Sequence, residues 1–190
     1  PIEVPWHPKR PELGLRTIFF GQELYIDRLD FELDPPDGFF RLFPGGSVRL
    51  KYGFIIDFED VVLDESGGGK IVYVRYDPET LSGQDQSGRR VKGTIQWVHA
   101  ESAEEVDVRL YDRMFTVPDP GNYEDPSSVI NPKSLTVGRA HVEPALGCLM
   151  PEAYFQFERV GFFKQDPSSG QDRLTYNRSV TLKDTWTKKS

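Results

Sequence analysis

From residue 17 to residue 182 the chain repeats one pattern: short runs of Val, Ile, Phe, Tyr and Thr alternating with polar residues, each cut off by Gly, Pro, Asp or Ser. Successive side chains of a strand point to opposite faces, so period-two runs of this kind specify half-buried strands. Eight candidates stand out, at 17–27, 48–58, 71–75, 91–98, 106–115, 134–142, 153–163 and 174–182. Only 100–106 and 144–149 leave room for a short helical turn. Glycine reaches positive φ without steric cost, so Ser66-Gly67-Gly68-Gly69-Lys70 reads as a hairpin turn. Residues 77–88 read as a polar loop, and 118–122 and 166–170 as further turns. No repeat of fixed period is visible, which leaves an all-β architecture of barrels or a sandwich. A soft boundary at 97–102, where a strand-rich run meets an acidic stretch, divides the chain into two small β units.

The remaining composition narrows the class. At 190 residues, 37% hydrophobic and 13% aromatic, the chain can bury a core, and disorder is excluded. No apolar run approaches the ~20 residues of a membrane helix. A single cysteine, Cys148, closes no internal disulfide, which fits a reducing, cytoplasmic setting. The chain opens on Pro1-Ile2-Glu3 without a leader-like segment, and a piece of something longer is expected. Thirty acidic against 23 basic residues exclude gripping nucleic acid by bulk charge. The acid is concentrated in 55–130, with 16 acidic and 7 basic residues, whereas 131–190 holds 6 and 9.

Converging reactive residues are missing. His7, His99 and His141 have no metal-ligand spacing with one another or with Cys148, and no CxxC or HExxH occurs, so no zinc site is expected. No GxSxG elbow and no phosphate-cradling GxxxxGK[ST] loop is present, and Cys148 is expected as a small buried hydrophobe. Paired acids such as Glu104-Glu105 fit chance placement in so acidic a chain. The chain is not expected to catalyse by itself.

Three stretches carry polar groups where strand geometry gives them meaning. In Ser47-Val48-Arg49-Leu50-Lys51 the period of two puts Val48 and Leu50 on one face and both cations on the other. In Phe155-Gln156-Phe157-Glu158-Arg159 the rings fill the interior while Gln156 and Glu158 project together. In Gly38-Phe39-Phe40-Arg41-Leu42 aromatic rings precede an arginine, just after a Pro35-Pro36-Asp37-Gly38 turn. Rings stack on unpaired bases and Arg, Lys, Gln and Glu bond base edges, so RNA recognition is one reading. An ordinary solvated strand face is the other, and the pattern alone leaves both open.

At these residues the chain resembles a known family. The blocks PIEVPWHPKRPELG (1–14), QELYIDRLDF (22–31), VKGTIQW (91–97), VRLYDRMF (108–115), SVINPKSL (128–135), FQFERVG (155–161) and YNRSVTLKDTW (176–186) are similar, in order and spacing, to the C-terminal anticodon-binding region of glutaminyl-tRNA synthetase. The resemblance covers essentially the whole chain. It implies two antiparallel β-barrels, with residues 1–14 and 98–190 building the proximal barrel and 15–97 the distal one, and the anticodon loop of the tRNA for glutamine bound between them. It further implies a partner in the N-terminal catalytic domain of the same chain, which uses ATP and Mg2+. The family's HIGH-type and KMSKS-type motifs are absent from these residues, so no catalytic residue and no cofactor is expected here, and neither membrane nor DNA is an expected partner.

By the same resemblance Arg41 reads the third anticodon base, a guanine, since a guanidinium donates twice to O6 and N7 in one plane. Arg49 and Lys51 occupy the pocket of the first base, C or U. Gln156 and Glu158 match the pair serving the central uracil, and Arg159 holds a phosphate or locks Glu158. Departures are visible: some relatives carry glutamine at the place of Gly38 and lysine at that of Phe40, and the family often has arginine at that of Lys51. Two alternatives stay open, the homologous domain of an archaeal or eukaryotic-type glutamyl-tRNA synthetase and a non-catalytic β module that docks on protein.

Overall fold

The structure is a computed structural model that describes residues 1–63, 70–170 and 173–182. As the alternation predicts, the elements are strands, joined by single 3-10 turns. Two compact units form, Pro1–Ala103 and Glu104–Ser190.

In the first unit β1 (Ile2–Pro5) pairs antiparallel with β2 (Leu15–Ile18), and β3 (Leu24–Ile26) with β8 (Trp97–His99). A four-stranded sheet has the order β6-β5-β4-β7, from β4 (Ser47–Leu50), β5 (Ile55–Leu63), β6 (Lys70–Asp77) and β7 (Thr94–Ile95). The β4–β7 pair is parallel. Val48 and Leu50 turn wholly inward, where they meet Val4, Ile18, Phe31, Leu42, Ile56, Ile95 and Trp97 in one core. Full burial of each such side chain contributes roughly 1.5–3 kcal/mol. The buried Trp97 keeps its polar edge satisfied by donating Nε1–H to the Lys51 carbonyl at 2.9 Å.

The second unit is one five-stranded sheet of order β10-β9-β13-β12-β11. Its strands are β9 (Glu104–Tyr111), β10 (Leu135–Val142), β11 (Tyr154–Phe157), β12 (Gly161–Gln165) and β13 (Thr175–Val180). Val106, Val108, Val142, Phe163 and Tyr176 form its core, with Phe155 and Phe157 packed against them. The ladders are open rather than closed on themselves.

Several expectations shift. The runs 17–27, 48–58, 91–98 and 153–163 each break into two strands. In 48–58 the chain reverses at Tyr52, with φ 61°, and in 153–163 at Arg159, with φ 65°. Both are residues for which the left-handed region is uncommon, so composition gave no turn signal. Strand β1 was not foreseen, because two prolines within five residues mask it. The helical turn at 100–106 is absent: strand β9 already starts at Glu104, which alternates outward-facing acids with Val106 and Val108. The turn at 144–149 is present as a 3-10 helix, Pro144–Cys148. Cys148 at its end is exposed rather than buried, because Leu146 takes the position against the core. Val4 of β1 belongs to the core of the first unit. The glycine turn at 66–70 lies outside the described residues, apart from Lys70 as the first residue of β6.

Candidate nucleic-acid interface

Each unit carries part of the expected site. In the first, Pro36 to Phe39 close a turn, with Phe39 N–H donating to the Pro36 carbonyl at 3.1 Å and Gly38 at φ 81°. This presents Phe40, 54% exposed, and then Arg41. Arg41 is held from behind: its Nε lies 3.3 Å from Oδ1 of the fully buried Asp30, and its Nη1 donates to the Leu29 carbonyl at 2.6 Å. A carboxylate removed from water needs a cation nearby, so Asp30 both demands and orients the guanidinium. The Arg41 side chain is still about a third exposed.

Arg41 lies on the wall of an open pocket of about 480 Å³ lined by Phe39, Phe40, Phe43, Ser47 and the segment 89–93. The walls hold Arg41, Arg89, Arg90 and Lys92 and no carboxylate-bearing residue. Lys92 Nζ sits 5.1 Å from the centre of the Phe40 ring, a cation–π contact. The approach of the two segments depends on Gly93, where a Cβ would fall 1.6 Å from the Phe40 carbonyl oxygen. Sequence reasoning missed Phe43, Arg89, Arg90 and Lys92, although VKGTIQW held the lysine and the glycine in plain view.

Arg49 has the predicted facing but a different set of partners. Its Nη1 donates to the carbonyls of Thr80 and Gly53 and to Ser82 Oγ, at 2.5, 3.3 and 3.4 Å, and its Nη2 to Asp85 at 2.6 Å. The Ser87 hydroxyl and then Arg49 hold the Asp85 carboxyl below its ordinary range. Thr80, wholly buried, accepts from Ile55 N–H and donates to the Asp77 carbonyl, both at 2.7 Å. Arg89 closes the other end of the loop 77–88 with hydrogen bonds of 2.6 Å to Asp57 and 2.8 Å to Asp77, which raise its own pKa and, Arg89 first and Ser47 second among the hydrogen bonds, lower that of Asp57. Lys51 stands next to this anchorage, half-buried, with Nζ 5.4 Å from the centre of the Tyr52 ring.

In the second unit β11 behaves as the alternation requires: Phe155 and Phe157 pack inward and Gln156 is exposed. Glu158 and Arg159 are exposed in the turn that follows, where Arg159 takes its left-handed conformation. The register sets Gln156 opposite Phe162 and Tyr154 opposite Lys164. Phe162 and Tyr154 are 40% and 65% exposed, giving Gln156 aromatic surfaces that sequence reasoning did not assign. Nearby, Arg109, Asn177 and the Ser168 hydroxyl converge on Asp166 at 2.5, 2.8 and 2.6 Å. Led by Ser168 and Asn177, these contacts hold its carboxyl at about 2.

Cations beside exposed rings on one unit, and an amide beside exposed rings on the other, are what single-stranded RNA recognition requires. Comparison with known proteins agrees. Two family models, each described as tRNA synthetases class I (E and Q), anti-codon binding domain, match residues 1–77 and 94–166. The chain belongs to this family of anticodon-binding domains. It is 49% identical over 185 residues to a glutamine–tRNA ligase of Rhodopirellula baltica, covering 96% of this chain and 31% of that protein. Glutamine–tRNA ligases of Proteus mirabilis and Serratia proteamaculans are 44% and 42% identical, each covering 98% of this chain and 34% of theirs. The chain thus spans about a third of the length of the curated relatives it matches. Among the described residues no helix of this anticodon-binding region is long and apolar enough to cross a membrane.

Proposed function

We propose that this chain recognises the anticodon loop of the tRNA for glutamine, as part of a longer cytoplasmic glutamine–tRNA ligase. The observation that carries this reading is the placement of Arg41 on a carboxylate-free cationic pocket between aromatic rings, in a chain similar to glutamine–tRNA ligases along almost its whole length. Arg41 reads the third base, a guanine, with the guanidinium face that Asp30 and Leu29 leave outward. Lys51 serves the first base, C or U, and Arg49 supports it chiefly by anchoring the neighbouring loop. Gln156 bonds the central uracil, with Glu158 and Arg159 in the adjoining turn, and Tyr154 and Phe162 offer stacking surfaces.

ATP, Mg2+ and the joining of glutamine to tRNA belong in this reading to the N-terminal catalytic domain of the longer ligase. Within the described residues no cluster of three or more His, Cys, Asp or Glu side chains has metal-binding placement. The role of this chain is to bind and discriminate.

Titration with a glutamine-anticodon stem-loop and with a scrambled loop of equal length tests the proposal. Tighter binding of the glutamine loop, lost when the third base G is replaced by C, is the expected result. Equal binding of both loops, or none at millimolar RNA, would overturn it, and a preference for C at the third base would favour the glutamyl alternative.

A further inference from the structure

The four cations of the Arg41 pocket are not equivalent. Arg41 is tied to Asp30 and Leu29, and Arg89 to Asp57 and Asp77, so both are spoken for by the protein. Arg90 and Lys92 are exposed and form no ion pair among the described residues. Lys92 instead rests over Phe40, the residue immediately before Arg41, while Gly93 pins this segment against the Phe40 carbonyl. Two cations without an ion pair among the described residues thus line the same pocket as Arg41, in a chain whose net charge is −7.

We infer that Arg90 and Lys92 form a phosphate-binding site for the RNA backbone next to the base held by Arg41. The inference rests on the anticodon reading above and adds to it the groups that hold the strand rather than identify it. Phosphate contacts position a nucleic acid and base contacts specify it, so the two roles separate experimentally. An acidic protein segment would also meet two cations, but the exposed Phe40 ring beneath Lys92 favours a ligand that carries π-faces as well as charge.

The test measures binding of a labelled glutamine-anticodon stem-loop to the 190-residue chain over a series of KCl concentrations. Arg90→Gln and Lys92→Gln should each reduce the magnitude of the slope of log K against log salt by about 0.7, and the double variant by about 1.4. The penalty for replacing the third base G by C should stay as in the wild type. Wild-type slope and affinity in the double variant would overturn the inference while leaving the anticodon reading intact. Loss of third-base discrimination would also overturn it, by making these side chains base readers. An aspartate-rich peptide that competes with the stem-loop and loses affinity equally on both substitutions would overturn the choice of RNA. Failure of the wild type to bind the stem-loop removes both readings.

Discussion

Arg41 and Arg49 share a residue type and an outward facing, and their surroundings separate them. Arg41 is paired with a carboxylate buried behind it, so Nε and Nη1 are held by the protein while the side chain remains about a third exposed. Replacing it by lysine should cost about 1–3 kcal/mol of discrimination at the third anticodon base, measured as the difference in binding between G and C stem-loops. Arg41→Ala should in addition destabilise the fold by about 1–2 kcal/mol, because it takes the guanidinium from Asp30. Adding Asp30→Asn to that variant should recover most of the stability in urea titrations and none of the discrimination. Recovery of discrimination would show that Arg41 acts only through the fold. Arg49 is bound to the loop 77–88 by three acceptors, the Thr80 carbonyl, Ser82 Oγ and Asp85, and to the Gly53 carbonyl besides. Arg49→Gln should therefore speed hydrogen exchange of amides in 79–88, and change the preference between C and U at the first base less than Lys51→Gln does.

At the scale of elements, the pocket exists because β4 and β7 pair in parallel and bring the segment before β7 against the segment before β4. Gly93→Ala should force those segments apart at the Phe40 carbonyl, costing about 1–3 kcal/mol in chemical denaturation and weakening stem-loop binding. Gly138→Ala in β10, where the nearest atom to a new Cβ is 3.7 Å away, is the matched control and should be nearly neutral. In the second sheet the parallel β9–β13 pair is cross-tied on its outer face, Tyr111 Oη–H donating to Asn177 at 3.1 Å and Asn177 to Asp166 at 2.8 Å. The Asp166 carboxyl lies at about 2 in the folded chain, against ~3.9 for an unfolded aspartate. A depressed folded pKa means that the folded state binds fewer protons, so this stabilisation is present above about pH 4 and lost as the pH falls through 2. Thermal melting between pH 5 and pH 2 should show the loss, and Asp166→Asn should melt lower at pH 5 with a flatter dependence below pH 4. An unchanged acid limb in that variant would assign the effect to other carboxylates.

Over the whole molecule, the acidic excess sets the terms of binding. With a net charge of −7 and two cations proposed to meet phosphate, the slope of log K against log salt for the stem-loop should not exceed about 3 in magnitude, far below that of basic nucleic-acid binders. A steeper slope would mean that phosphate contacts rather than base contacts dominate. Much of this was legible in residue order. Period two gave the strands, and it correctly turned Val48, Leu50, Phe155 and Phe157 inward and Arg49 and Gln156 outward. The reversals at Tyr52 and Arg159 were not legible, since neither residue signals positive φ. Nor was the sorting of cations into tied and uncompensated ones, because Asp30, Asp57, Asp77 and Asp85 are brought to Arg41, Arg89 and Arg49 by packing rather than by spacing along the chain. The sequence by itself determined an all-β chain, its family and the facing of most site residues, because side-chain alternation and motif order are local properties. Only the tertiary structure decided which arginines are anchors, which side chains line the pocket and why residue 93 has no side chain, because a charge is neutralised, and a Cβ excluded, by whatever the fold places within a few ångströms of it.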